Sequence, residues 1–448
     1  MSKKKKIFVA GVWVILVIGL SQIIRLGSNL ILTRLLEPEV FGVMAIVTIV
    51  AIGIAMFTDL GLWQFVVRHK DPEDPHMLNV VWTIQVMRGW AMFLLILIIV
   101  IILAMGNQYL PSYFHGIYAD SRLPMLILIA GTASVIGGYA SMASPIMHRK
   151  IELGKLELAE LISQVIGTSV MIIWVWLYPS IWDLLLASLV STLLHTLMTY
   201  YLFPYRHKLV WDKSIVREVF HFSKWIVISS ALTYLFMQGD RLLFAAKIDA
   251  ATLGVYSIAF MLATTITGVA ITLAEKVIFP VFSSQAHGDR QLFKDKYYKV
   301  RLYLDIPMFL AAGLLMALGP LIVHTLYDAR YHNAGWILQI LAFSVIGNTL
   351  SLVSMECLLA LSITKVRMWV MLIRTISLFV GLPLFFNLYG FYGAIWVVAL
   401  NAWVSLPLTY WNLAKNSIFN LFKEVRMLPF VGVGYALGIL IMKLISLS

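Results

Sequence analysis

Stretches of about 20 consecutive apolar residues recur along the whole chain, and no other feature limits the possible folds so severely. A helix rises 1.5 Å per residue, so each stretch matches the ~30 Å hydrocarbon thickness of a bilayer. Thirteen runs can be delimited: 7–34, 40–66, 80–104, 122–147, 156–178, 181–204, 223–247, 251–282, 298–325, 334–361, 366–387, 390–412 and 427–445. Of the 448 residues, 12% are charged and 61% hydrophobic, where soluble domains carry about 25% charge. Lipid is the main solvent. Backbone groups in lipid must be satisfied within the segment, so runs of this length are predicted as helices and the class as all-α integral membrane.

The first run follows Lys3, Lys4, Lys5 and Lys6 and continues to Ile24 with no small-x-small pattern after it, which predicts a span and not a cleaved leader. The single cysteine, Cys357, lies in an apolar run, so an intrachain disulfide is excluded and a packing role is the default.

The net charge of +12 raises the question of nucleic acid, and the placement of the charges answers it. When alternate loops are assigned to opposite sides, 24 lysines and arginines fall on the side of the N-terminus and five on the other. That asymmetry is the positive-inside pattern, which puts the N-terminus in the cytoplasm and, with thirteen spans, the C-terminus outside. The basic excess reports topology and contact with membrane lipids; no nucleic-acid partner is expected.

Most connections are short, and the longest outward one, about 105–121, is too small for a catalytic domain. Two basic cytoplasmic connections, 205–224 and 283–301, have the composition of interfacial amphipathic helices. The two halves resemble each other at an offset of 212 residues: Gly27, Leu30, Gly42, Val43 and Ile46 recur as Gly239, Leu242, Gly254, Val255 and Ile258. Six spans per copy makes the repeat parallel, with its pseudo-twofold axis along the membrane normal. The expected organisation is an N-terminal six-helix bundle at 1–204, a cytoplasmic linker at 205–222, a second six-helix bundle at 223–412, and a linking helix with an extra span at 413–448. Two such bundles would enclose a cleft that rocking opens to either side in turn.

The stretch from Arg25 to Gly42, which includes Gly27-Ser28-Asn29 and Glu37-Pro38, resembles the first-span signature of bacterial polysaccharide flippases. These belong to the multidrug, oligosaccharidyl-lipid and polysaccharide exporter superfamily. Thr58-Asp59-Leu60-Gly61-Leu62, Trp82 to Gly89, Gln238 to Leu242 and Leu253 to Tyr256 extend the resemblance in order and spacing. It implies a twelve-span core that flips an undecaprenyl-diphosphate-linked oligosaccharide from the cytoplasmic to the periplasmic leaflet of the bacterial inner membrane. The implied products are lipopolysaccharide or exopolysaccharide, with a polymerase and chain-length machinery as partners. The protein is expected to act as a monomer.

Charges inside spans cost roughly 2.5–3.5 kcal/mol each and need a reason. They are Arg25, Asp59, Arg88, Asp240, Arg241, Glu275, Lys276, Asp305, Glu356 and Arg374. Ser21, Arg25 and Ser28 follow i, i+4, i+7 with Asn29 beside them, so the first span has one polar face. Arg25 and Asn29 are read as lining the substrate cavity, with snorkelling of Arg25 as the alternative. Arg241 holds nearly the equivalent place in the seventh span. Arg88 and Arg374 either bind phosphate or pair with a carboxylate. A diphosphate calls for guanidinium forks, which is the chemistry these four arginines offer. Asp59, Asp240 and Glu356 are candidates for a coupling site for a proton or a sodium ion, and salt bridges such as Asp240 with Arg241 or Glu356 with Arg374 are the plainer reading. Glu275 with Lys276 suggests a structural pair or a cytoplasmic gate, and His195 a packing residue.

No P-loop, no HExxH and no paired Cys/His spacing occurs, so no cofactor or metal is expected. A drug or metabolite antiporter of the same superfamily is the alternative, and it would prefer carboxylates over arginines in the cavity. A membrane polymerase or ligase would need a long outward loop bearing catalytic groups.

Overall fold

The described parts of the apolar runs are largely helical in the computed structural model, which describes residues 3–447 apart from 70, 72, 110–114, 143–144, 148–152, 203–204 and 286–288. The side chains of Lys3 to Lys6, Arg149, Lys150 and Lys276 lie outside the described residues. The helices are α1 (Lys3–Leu35), α2 (Pro38–Phe57), α3 (Leu62–Arg68), α4 (Pro75–Tyr109), α5 (Leu123–Gly138), α6 (Leu153–Leu177), α7 (Ile181–Leu202), α8 (Lys213–Ala245) and α9 (Ala250–Leu273). After a π-turn at Ala274–Ile278 come α10 (Phe279–Ser283), α11 (Arg290–Leu326), α12 (Ala334–Ala360), α13 (Lys365–Leu400), α14 (Leu406–Lys415), α15 (Leu421–Val425) and α16 (Pro429–Leu447). Among the described residues ten helices are long and apolar enough to cross a bilayer.

Three details refine the sequence reading. The run 122–147 yields a helix of only 16 residues, because α5 stops at Gly138. The runs 366–387 and 390–412 meet at a kink within α13, where Gly390 leaves helical geometry with a φ of 64° that a residue with Cβ resists. The basic segments 213–224 and 290–301 are not separate interfacial helices. They are the first turns of α8 (33 residues) and α11 (37 residues), since no breaker separates them from the apolar run that follows. A 37-residue helix is about 55 Å long, so α11 must extend well past the hydrocarbon.

Two compact units divide the chain: Met1–Tyr234 with Ala245–Ala251, and Leu235–Phe244 with Thr252–Ser448. In the first, α4 packs on α5, α6 on α7 and on α1, and α7 on α5. Gly89 permits the α4–α5 approach, for a Cβ there would meet the Ser134 carbonyl oxygen at 2.6 Å. Gln85, one turn earlier, donates to the Gly138 and Ala140 carbonyls at 3.0 and 2.9 Å and so closes the end of α5. The linker before α8 is strapped to α4 by backbone donors: Lys208 N–H to Asn79 Oδ1 and Val210 N–H to Thr83 Oγ1, both at 3.0 Å. His207 in this strap stacks on Trp82 with ring centroids 5.4 Å apart, and its Nε2 accepts from the Met142 N–H at 3.3 Å. Burial pushes the His207 imidazole down to about 4, in keeping with a neutral ring that accepts.

In the second unit α12 is the central helix, with α11, α13 and α14 against it. The C-terminal span α16 crosses α11 through Gly434 and Gly438, a G-x-x-x-G face. Cβ atoms on these would meet the Leu310 carbonyl oxygen at 2.3 Å and the Ala317 Cβ at 2.5 Å. The extra span is therefore packed tightly on its own unit. Short α15 reinforces the attachment: buried Glu424 ion-pairs with Arg301 near the start of α11 and accepts from Tyr297 Oη at 3.0 Å. Arg301 also pairs with Asp305 at 2.8 Å, and all three charges are at most 2% exposed. Removing one member would strand the others, which costs about 3–5 kcal/mol in a buried pair.

Candidate functional site

All four candidate arginines have only neutral hydrogen-bond partners among the described residues, and Arg88 alone has a carboxylate, Asp59, acting on its charge. On α1, Arg25 is exposed and donates from Nη2 to Gln22 Oε1 at 2.6 Å, one turn before it. Asn29 follows one turn later, half-buried. Ser28 turns its hydroxyl back to the Arg25 carbonyl at 3.0 Å, leaving the guanidinium as the most prominent group on that face. On α8, Arg241 donates to Gln238 Oε1 at 3.1 Å and lies 4.5 Å from the centroid of the Phe260 ring. Its Nε is buried with no partner among the described residues. On α13, Arg374 donates from Nε to Asn401 Oδ1 at 3.0 Å and from Nη2 to Asn348 Oδ1 at 2.9 Å, and stands 4.7 Å from the ring of Phe236 on α8.

Arg374 thus serves the contact of α8 with α13, while Arg241 faces Phe260 of α9. Phe236 meets Arg374, and three residues on, a Cβ at Gly239 would meet Phe379 of α13 at 2.7 Å. Glu356 does not pair with Arg374. Its carboxylate forms no ion pair or hydrogen bond among the described residues, and the charges that act on it are Arg367 and Glu275.

Arg88 differs from the other three. It donates to the Ala55 carbonyl at 2.8 Å and reaches Thr58 Oγ1 at 3.5 Å, near Asp59, so the C-terminal end of α2 accounts for its charge. Asp59 itself closes a turn. Its Oδ1 accepts from Gly61 N–H at 3.0 Å, where Gly61 has a φ of 61°, and its Oδ2 accepts from Ser230 Oγ at 3.0 Å. Asp240, 3% exposed, accepts from the Tyr256 hydroxyl, which turns it away from its neighbour Arg241.

The structure gathers further polar groups that the sequence reading passed over. In the first unit a cavity of about 400 Å3 lies between α6 and α7, where His195 had been read alone. The signal was the spacing of Glu160, Gln164 and Thr168, i, i+4, i+8 on α6. On the loops of the same unit, Arg122 bridges Glu39 and Asp120 beside a second cavity of about 620 Å3 that also reaches Lys247 and Asp249. Burial pushes the Asp120 carboxyl up, but hydrogen bonds from Arg122 outweigh it and hold the group below the usual carboxylate range.

Long apolar helices in two units, with arginines inside the apolar runs, make a polytopic membrane fold. The lipid II flippase MurJ shares it, with a TM-score of 0.70 at 12% identity over 98% of this chain and 100% of that one. An inward-facing MATE family multidrug transporter of the MOP superfamily gives 0.66 at 14% identity over 89% and 94%. The family model described as polysaccharide biosynthesis protein matches residues 31–335, and the chain belongs to that family. Lipopolysaccharide biosynthesis protein WzxC of Escherichia coli is 21% identical over 348 residues, 76% of this chain and 67% of that protein. Succinoglycan biosynthesis transport protein ExoT of Rhizobium meliloti is 24% identical over 319 residues, 70% of this chain and 61% of that one.

Proposed function

We propose that this protein flips an undecaprenyl-diphosphate-linked oligosaccharide across the bacterial inner membrane for assembly of a surface polysaccharide. One observation carries the reading: the guanidiniums of Arg25, Arg241 and Arg374 lie within the apolar runs of α1, α8 and α13 with neutral hydrogen-bond partners and no carboxylate within ion-pair distance among the described residues. A cation kept in a span without an acid is costly, and an anionic cargo that supplies the missing charge offsets that cost. Diphosphate oxygens match guanidinium forks in shape and charge. A drug antiporter would be served better by carboxylates, and two of the candidate carboxylates, Asp59 and Asp240, are already engaged by hydrogen-bond donors.

Transport proceeds by alternating access, with the N-terminus cytoplasmic, and requires no covalent step. Glu356 is the carboxylate best suited to exchange a proton or a sodium ion, because its oxygens are not committed to a hydrogen bond among the described residues. The repeat is then handed to polymerising and chain-length machinery on the outer side. The test is flux of the host's lipid-linked repeat in proteoliposomes, together with restoration of surface polysaccharide in a strain lacking the gene. Absence of flux with the wild-type chain removes the reading.

A further inference from the structure

Polar side chains are concentrated near the middle of two spans, where neither capping nor turn geometry asks for them. Glu160, Ser163, Gln164 and Thr168 of α6 face Ser191 and His195 of α7 around the cavity of about 400 Å3. That volume is within the range of roughly 300–1,000 Å3 that small-molecule sites occupy. Gln164 lies near the midpoint of the 25-residue α6, Ser191 at the midpoint of the 22-residue α7 and His195 one turn past it. A carboxylate, an amide, an imidazole and hydroxyls at that depth are costly against acyl chains and suit an aqueous cavity.

Two observations say what the water gives way to. Ser163 is 3% exposed, lines the cavity, and its Oγ has no hydrogen-bond partner among the described residues. A buried hydroxyl left unpaired is destabilising, and a ligand hydroxyl would satisfy it. The lining also holds one carboxylate and no lysine or arginine, which disfavours phosphate and suits an uncharged polyol. The cavity wall is tied to α1, since Ser21 Oγ donates to Gln164 Oε1 at 2.5 Å and Gln164 Nε2 donates to the Ser21 carbonyl at 3.1 Å. Ser21 precedes Arg25 by one turn, a rise of ~6 Å. The guanidinium thus lies one helical turn from a residue bonded to the wall of a hydroxyl-rich pocket that holds no cationic side chain.

We infer that the cavity between α6 and α7 is the subsite for the uncharged sugar next to the diphosphate, with Arg25 holding the phosphate beside it. The inference rests on the flippase reading. It assigns Ser163 and Thr168 to hydroxyl recognition, Glu160 to accepting from sugar hydroxyls, and Gln164 to fixing the wall.

The test uses the full-length protein in proteoliposomes, with the host's lipid-linked repeat as substrate and bare undecaprenyl diphosphate, which has the phosphates and no sugar, as inhibitor. The variant Ser163→Ala with Thr168→Val removes two hydroxyls with little change in bulk. Its flux should fall about tenfold or more, as loss of two ligand hydrogen bonds requires, while inhibition by the bare lipid stays at its wild-type concentration. Its thermal midpoint should hold or rise, because Ser163→Ala deletes an unpaired hydroxyl; a merely structural pocket would lower it. Arg25→Ala should instead weaken inhibition by the bare lipid. Wild-type flux in the double variant overturns the subsite, as does an equal loss of sensitivity to the bare lipid. A wild-type chain that moves no lipid-linked repeat defeats the flippase reading itself, an outcome separate from failure of the subsite.

Discussion

Arg25 of α1 and Arg241 of α8 are near counterparts in the internal repeat, yet they live in different surroundings. Each donates to a glutamine three residues earlier, Gln22 at 2.6 Å and Gln238 at 3.1 Å. There the likeness ends. Arg25 is exposed, while Arg241 is half-buried beside the Phe260 ring, next to an aspartate sequestered by Tyr256. The flanking glycines diverge too: a Cβ at Gly27 would meet nothing within 4 Å, whereas at Gly239 it would meet Phe379 at 2.7 Å. The repeat has kept the helical spacing and separated the duties. A guanidinium without packing contacts is open to a ligand, and one built into a packed helix pair also holds the fold.

Substitutions can break or sharpen this contrast. The largest effect is expected for Arg25→Ala, which should cut flux about 10–100-fold, the worth of one charge-assisted hydrogen bond, with membrane insertion and thermal midpoint unchanged. Arg25→Lys should recover only part of that flux, because an ammonium lacks the fork. A fall in stability equal to the fall in flux would place Arg25 with Arg241 and erase the distinction. Next comes Tyr256→Phe, which leaves the Asp240 carboxylate buried without its hydroxyl donor and should cost about 1–3 kcal/mol in denaturation measurements.

A pH effect of roughly 1–2 kcal/mol tests the first unit away from its arginine. His207 is held at about 4 in the fold and titrates near 6.5 when unfolded, so the unfolded chain binds the proton first. The stability it supports is present above pH 6.5 and is lost as pH falls toward about 4. Midpoints of the wild type should therefore drop between pH 7.5 and 5, and those of His207→Gln should drop less. The smallest effect belongs to Phe260→Leu, which removes the ring beside Arg241 and should lower stability by about 0.5–1 kcal/mol. No change there would show that the aromatic cover is incidental.

The spans, their helical state and the family were legible in the sequence, because a bilayer fixes both the length and the polarity of whatever crosses it. Individual charges such as Arg25 and Arg374 could be picked out for the same reason: in an apolar run a charge is conspicuous. Their partners could not. Asp59, a candidate ion site, also closes the turn at Gly61; Glu356 and Arg374 looked like a pair and form none among the described residues. Hydrogen bonding depends on side-chain direction to within a few tenths of an ångström, and sequence spacing resolves only the face of a helix.

Tertiary structure alone decided three further matters. It packed the extra C-terminal span on α11 through Gly434 and Gly438, where a missing Cβ matters only because another backbone lies against it. It joined Arg301, Asp305 and Glu424, more than a hundred residues apart at the extremes, into one buried network. It also brought the stripes of α6 and α7 face to face, turning scattered hydroxyls into a lined cavity. Apolar length and charge asymmetry are properties of the chain itself, so the sequence determines them outright. A site is a relation between groups on different helices, and it exists only once those helices are packed.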